Sequence, residues 1–146
     1  MNKKGVTLFE LIIVFVIIAI GALLLAPNIG GWLVHYRLRG STRDIVSTMR
    51  TAQMKAVSFN NQYRVSFNQG LGTYILQRNS GGGYFNDGAS QTLQSGIQIS
   101  AITFPGNNAE FNPNSTSSTG SITLRDTKGS QRRISLTTAT GRIRVE

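Results

Sequence analysis

Four arginines late in the chain and one carboxylate near its start are the side chains whose types and spacing could do chemistry. In the stretches SITLRD, RRISL and GRIRVE, Arg125, Arg133, Arg142 and Arg144 sit among alternating apolar residues. A guanidinium is always charged and offers a planar fork of donors that meets phosphate or carboxylate in two bonds at once. Arginines repeated this way could grip the phosphates or carboxylates of a partner. The carboxylate is Glu10, inside GVTLFELIIVFVIIAI (residues 5–20), which apart from Glu10 and Thr7 is apolar or glycine. A carboxylate deep in hydrocarbon costs on the order of 3 kcal/mol, so an ionisable residue there calls for a function.

The rest of the composition narrows the classes. The 146 residues contain one histidine, His35, and no cysteine, so disulfides, thiolate metal sites and the usual zinc ligand sets are not expected. His35 stands alone as a base, and the six acids are scattered without a pair spaced for two-carboxylate catalysis. An enzyme, a metal and a cofactor are therefore not expected. The balance of 15 Lys+Arg against 6 Asp+Glu gives +9, and eleven of the fifteen are arginine. Such a balance suits nucleic acid or an anionic surface as partner. The glycines of NSGGGYFNDGAS (residues 79–90) lack the Lys-Ser/Thr ending and the following helix of a phosphate cradle, and read as a mobile loop.

Short strands must position the arginines. QYRVSF and GTYILQR flank NQGL as a hairpin, GIQISAITF is a strand, AEFNPNSTSSTG begins as one, and SITLRD, QRRISLT and GRIRV complete the set. Side chains alternate along a strand. With Ile122, Leu124, Ile134, Leu136, Ile143 and Val145 turned to a core, Arg125, Arg133, Arg142 and Arg144 point outward. If the last three strands pair as a meander, these arginines share one face, with Arg142 and Arg144 about 6.8 Å apart. A face of solvated arginines that blocks edge-to-edge aggregation has the same pattern.

A helix comes first. Leu38, Thr42, Ile45, Met49, Ala52 and Ala56 recur at three- and four-residue steps, one helix face that should pack on the strands. The pattern runs to Ser58, with Gly21, Pro27, Gly30 and Gly31 as interruptions and a kink expected at Pro27. The run from Val6 to Ala26 has the ~20 apolar residues of a membrane helix, with Lys3 and Lys4 held on the cytoplasmic side. Trp32 and Tyr36 beside His35 read as an interfacial anchor. A secretory signal peptide would need a small-x-small cleavage site, which LLLAPN supplies poorly, and a plain anchor leaves Glu10 unexplained.

The stretch KKGVTLFE resembles the class III signal of type IV pilins and pseudopilins. That resemblance implies cleavage by a prepilin peptidase after Gly5 and methylation of the new first residue, Val6, where the family usually has phenylalanine. It also makes Glu10 a filament-assembly residue. Cleavage creates a charged amine, and a carboxylate from a neighbouring subunit neutralises it; in a low-dielectric setting the loss of either partner leaves an uncompensated charge. The order of the final strands resembles the FimT/GspH family of minor pilins and pseudopilins. GRIR (Gly141 to Arg144) matches the G-R-x-R motif that carries DNA binding in FimT-type minor pilins, which implies Arg142 and Arg144 as phosphate grips and Gly141 as the point of close backbone approach.

The expected fold is α+β: a long N-terminal hydrophobic helix packed on an antiparallel β-sheet. The expected segments are a leader over 1–5, a transmembrane and filament-core helix over 6–34, its amphipathic continuation over 35–58 and a globular β-sheet domain over 59–146. The implied function is that of a minor pilin in a Gram-negative type IV pilus-like filament, single-pass in the inner membrane before assembly with a periplasm-facing body, that binds DNA non-specifically for uptake in natural transformation. Its expected partners are other pilins or pseudopilins, the prepilin peptidase, the inner membrane and DNA. The alternative is an H-type minor pseudopilin of type II secretion.

Overall fold

A computed structural model describes residues 5–25, 29–138 and 141–146. Lys3, Lys4, Ala26 and Pro27, with the kink expected there, lie outside the described residues, as does most of the turn over 138–140. The chain divides into two compact units, Met1–Leu33 and Val34–Glu146.

The first unit contains α1, Leu8–Leu25. Apart from Glu10 and Gly21, its residues are Leu, Ile, Val, Phe and Ala, and from Leu8 to Ile18 every one is exposed. No helix among the described residues is long and apolar enough to cross a membrane. The second helix, α2, runs Ile29–Ser58, and most of it belongs to the second unit. It ends where Asn60 takes a left-handed φ of 46°, a conformation asparagine tolerates.

The second unit carries a hydrophobic core of its own. The face read from the sequence, from Leu38 through Thr42, Ile45, Met49 and Ala52 to Ala56, is buried throughout. Burial of a contiguous apolar face, more than propensity, is what holds such a helix. The face packs into one cluster with strand residues such as Val65, Phe111, Ile122, Leu124 and Ile134. Because every member of that cluster lies within Val34–Glu146, this unit has what it needs to fold alone.

The strands form two antiparallel sheets where one was expected. The first joins β1 (Tyr63–Asn68), β2 (Thr73–Asn79), β3 (Tyr84–Asn86), β4 (Gln91–Thr92) and β6 (Asn108–Phe111), with β1 central between β2 and β6. The second has the order β5-β7-β8-β9, from β5 (Ile97–Ile102), β7 (Gly120–Asp126), β8 (Gln131–Thr137) and β9 (Arg142–Val145). Residues 79–90, read from the sequence as a mobile loop, contain a strand: β3 pairs with β2 in the register Asn79↔Tyr84, Arg78↔Phe85, Gln77↔Asn86. The glycines Gly81 and Gly83 make the tight turn, with φ of 71° and 154°. Tyr84 is fixed by the Arg64 guanidinium, 3.6 Å from its ring centre.

Candidate anion-binding face

The second sheet sets the arginines by register. Across β7 and β8, Ile122 faces Ile134, Thr123 faces Arg133 and Arg125 faces Gln131. Across β8 and β9, Ser135 faces Arg144, Leu136 faces Ile143 and Thr137 faces Arg142. Ile122, Leu124, Ile134 and Leu136 are buried, so the residues between them turn away from the core. Arg125, Arg133, Arg142 and Arg144 are all exposed on that outer side, as the alternation predicts.

Arg133 is held by a hydrogen bond, and Arg125 lies near the β7–β8 turn. The Arg133 Nε donates to the Ser121 hydroxyl at 3.1 Å, which aims the guanidinium along the sheet. Arg125 folds over the β7–β8 turn, with its Nη2 3.6 Å from where a side chain on Gly129 would begin. Gly129 is left-handed at φ 91°, so this turn favours glycine. Just past β9 an acid stands beside Arg133: Arg133 and Glu146 exchange backbone hydrogen bonds of 2.9 and 2.8 Å.

Gly141 does not stand on the outer face. It is buried with φ 56°, and a Cβ there would meet the Gln53 amide at 2.5 Å and the Ser115 carbonyl oxygen at 3.0 Å. Its buried, left-handed backbone directly precedes β9, where a side chain would not fit.

His35 has a partner that the sequence did not reveal. Its Nδ1 lies 3.5 Å from Asp126 Oδ2, and the Asp126 side chain is wholly hidden from solvent. The other oxygen, Oδ1, accepts from the backbone N–H groups of Lys128 at 2.9 Å and Ser130 at 2.8 Å, which ties the turn together. Burial alone would raise the carboxyl's pKa. The hydrogen bonds from Ser130 and Lys128, with the charge of His35, outweigh it and hold Asp126 below the ordinary carboxylate value. Among the described residues, no group of three or more His, Asp or Glu could hold a metal ion.

At the other end of the chain, Gly5, Val6 and Thr7 precede α1 in non-helical conformation. Thr7 and Glu10 form a reciprocal cap: the Thr7 N–H and hydroxyl donate to Glu10 Oε2 at 2.9 and 3.0 Å, and the Glu10 N–H donates to Thr7 Oγ1 at 3.3 Å. This is a capping box, and T-x-x-E in the sequence is its signature. Glu10 thus has a local task at the helix start, and its carboxylate remains exposed.

An apolar N-terminal helix, an amphipathic helix on antiparallel sheets and the Thr7–Glu10 start together define a type IV pilin-like subunit. Comparison with known proteins gives the family. A model described as "Type II transport protein GspH" matches residues 41–140, and one described as "Prokaryotic N-terminal methylation motif" matches residues 1–26. The chain belongs to the GspH family of type IV pilin-like proteins, and is a minor pilin or pseudopilin. Its fold is similar to the minor pseudopilin EpsH from the type 2 secretion system of Vibrio cholerae, at a TM-score of 0.65 and 11% identity over 75% of this chain and 96% of that one. It is also similar to the type IV minor pilin FimU of Pseudomonas aeruginosa, at 0.61 and 14% identity over 77% and 90%. No curated protein sequence matches the chain.

Proposed function

We propose that this chain is a minor pilin of a type IV pilus-like filament that captures DNA, without regard to sequence, for uptake in natural transformation. The observation that carries this reading is the row of Arg125, Arg133, Arg142 and Arg144 on the outer side of β7, β8 and β9. Four guanidiniums on a regular surface suit phosphates, and contacts of that kind position a protein on nucleic acid without reading its bases. The net charge of +9 adds long-range attraction to a polyanion.

The route to the filament rests on the N-terminus. The peptidase cuts after Gly5, Val6 becomes the methylated first residue, and the chain is held in the inner membrane by the apolar run until assembly. The Glu10 carboxylate then meets the amine of a neighbouring subunit. The segments follow as a leader over 1–5, a membrane and filament-core helix over 6–34, its continuation over 35–58 and the β-rich body over 59–146.

A second reading is the H-type minor pseudopilin of type II secretion, favoured by the family match and by the likeness to EpsH. A gel shift of the 34–146 body with duplex DNA at low salt decides. The DNA reading expects a shift that is lost in Arg142→Gln/Arg144→Gln. Absence of a shift, or one that the double variant retains, favours secretion.

A further inference from the structure

A second stripe runs along α2 beside the buried one. Arg39, Arg43, Val46 and Arg50 recur at steps of four, three and four, which places them on one helix face over about 16 Å. This stripe is one bank of a groove of about 490 Å3, and Arg132 with Val145 forms the other. Arg132 arrives there by alternation, since it shares the inward side of β8 with the buried Ile134 and Leu136 and is itself half-buried. Val145 is the register partner of Ile134.

The groove is lined by four arginines and no acid. The ion pairs among the described residues, His35–Asp126 and Lys55–Asp87, lie elsewhere. Like charges four residues apart on a helix repel, and Arg39 and Arg43 are such a pair. A cleft that gathers four guanidiniums with no acid in its lining offers a favourable place for an anion.

We propose that this groove is a second nucleic-acid site, gripping the phosphodiester backbone on the opposite side of β9 from Arg142 and Arg144; the proposal rests on the DNA-binding reading above. A second copy of this chain is a poor occupant, because both surfaces would carry positive charge. No aromatic ring lines the groove, so it offers no platform for base stacking and holds the backbone instead. The two sites are continuous. β9 has a neighbour on one side only, and its consecutive residues Arg144 and Val145 belong to the outer face and the groove respectively. A polyanion that rounds this edge passes from one set of arginines to the other.

Fluorescence anisotropy of the 34–146 body with a short labelled duplex and a labelled oligothymidylate tests the proposal, with polyglutamate as competitor. Arg43→Gln/Arg50→Gln is expected to weaken binding of both nucleic acids roughly tenfold at low salt and to make the duplex salt slope shallower by about 1.8. Arg37→Gln/Arg78→Gln removes the same charge elsewhere and should cost far less. Arg43→Lys/Arg50→Lys keeps the charge but loses the fork; it should keep the slope and lose a few-fold in affinity, and it stands in if the glutamine pair unfolds. Parental binding by the groove variants, with loss in Arg142→Gln/Arg144→Gln, overturns the groove and leaves the outer face standing. Parental binding by both sets ends both. Equal loss in the Arg37/Arg78 control, or a groove whose arginines bind polyglutamate and are indifferent to nucleic acid, overturns the proposal in favour of net charge or of an acidic protein partner.

Discussion

Arg133 and Glu146 are paired across the edge of the second sheet, N–H to carbonyl in both directions at 2.9 and 2.8 Å. The pairing sets a carboxylate beside the most firmly oriented arginine of the outer face. A like-signed charge at that spot repels phosphate. Glu146→Gln is therefore expected to tighten DNA binding two- to fivefold at low salt, with the gain fading as salt screens it. Anisotropy titrations of parent and variant at two salt concentrations check this; unchanged affinity at low salt would place the bound backbone away from Arg133.

The Thr7–Glu10 cap allows the local role of Glu10 to be separated from the assembly role proposed for it. Gln at the third helical position preserves a capping box, so Glu10→Gln keeps the local hydrogen bonds and removes the charge. Thr7→Ala does the reverse, at a cost of about 1 kcal/mol in the helix start. If the charge meets a neighbour's amine, Glu10→Gln loses filament incorporation while Thr7→Ala enters nearly as well as the parent. Immunoblots of sheared filaments read the difference, and the opposite order would make Glu10 a capping residue alone.

Asp126 predicts an acid-sensitive turn. Its carboxyl is held below the ordinary value of 3.8 in the folded chain. A lowered folded pKa means stability that is fully present above the unfolded value and is lost as pH falls through the folded one. Asp126→Asn should lower the thermal midpoint of the body at pH 7, and the gap to the parent should close below pH 3.8. Circular dichroism melts across that range measure it; a constant gap would mean that the hydrogen bonds to Lys128 and Ser130 matter without the charge.

Gly120 has no room for a side chain. A Cβ there would lie 2.4 Å from the Phe104 ring and 3.0 Å from the Phe104 Cα. Phe104 is buried and stacked on Phe67 with ring centres 6.0 Å apart, so it has little freedom to give way. Gly120→Ala is expected to destabilise the body by about 1–3 kcal/mol. Urea unfolding of the 34–146 body provides the value, and a variant as stable as the parent would mean that the Phe67–Phe104 pair shifts freely.

Much of the architecture was legible because it is written in short periods. The stripe from Leu38 to Ala56 gives the buried face of α2, and strand alternation gives the outward direction of Arg125, Arg133, Arg142 and Arg144. Partnership between distant segments has no such signature. Nothing local says that β3 closes on β2 or that the strands divide into two sheets. His35 and Asp126 are brought together only by packing α2 on β7. Arg132 was readable in principle, since it shares parity with Ile134, but its meaning comes from Arg39, Arg43 and Arg50 across the groove. The Thr7–Glu10 cap is written in the sequence too, as T-x-x-E before an apolar run.

The salt dependence of DNA binding by the 34–146 body measures the outer arginine face most directly. Four phosphate contacts by Arg125, Arg133, Arg142 and Arg144 predict a log–log slope of at least about −3.6 on duplex DNA, and Arg142→Gln/Arg144→Gln should make it shallower by about 1.8. A parental slope near zero, or a slope that the double variant leaves unchanged, would contradict DNA capture by this face.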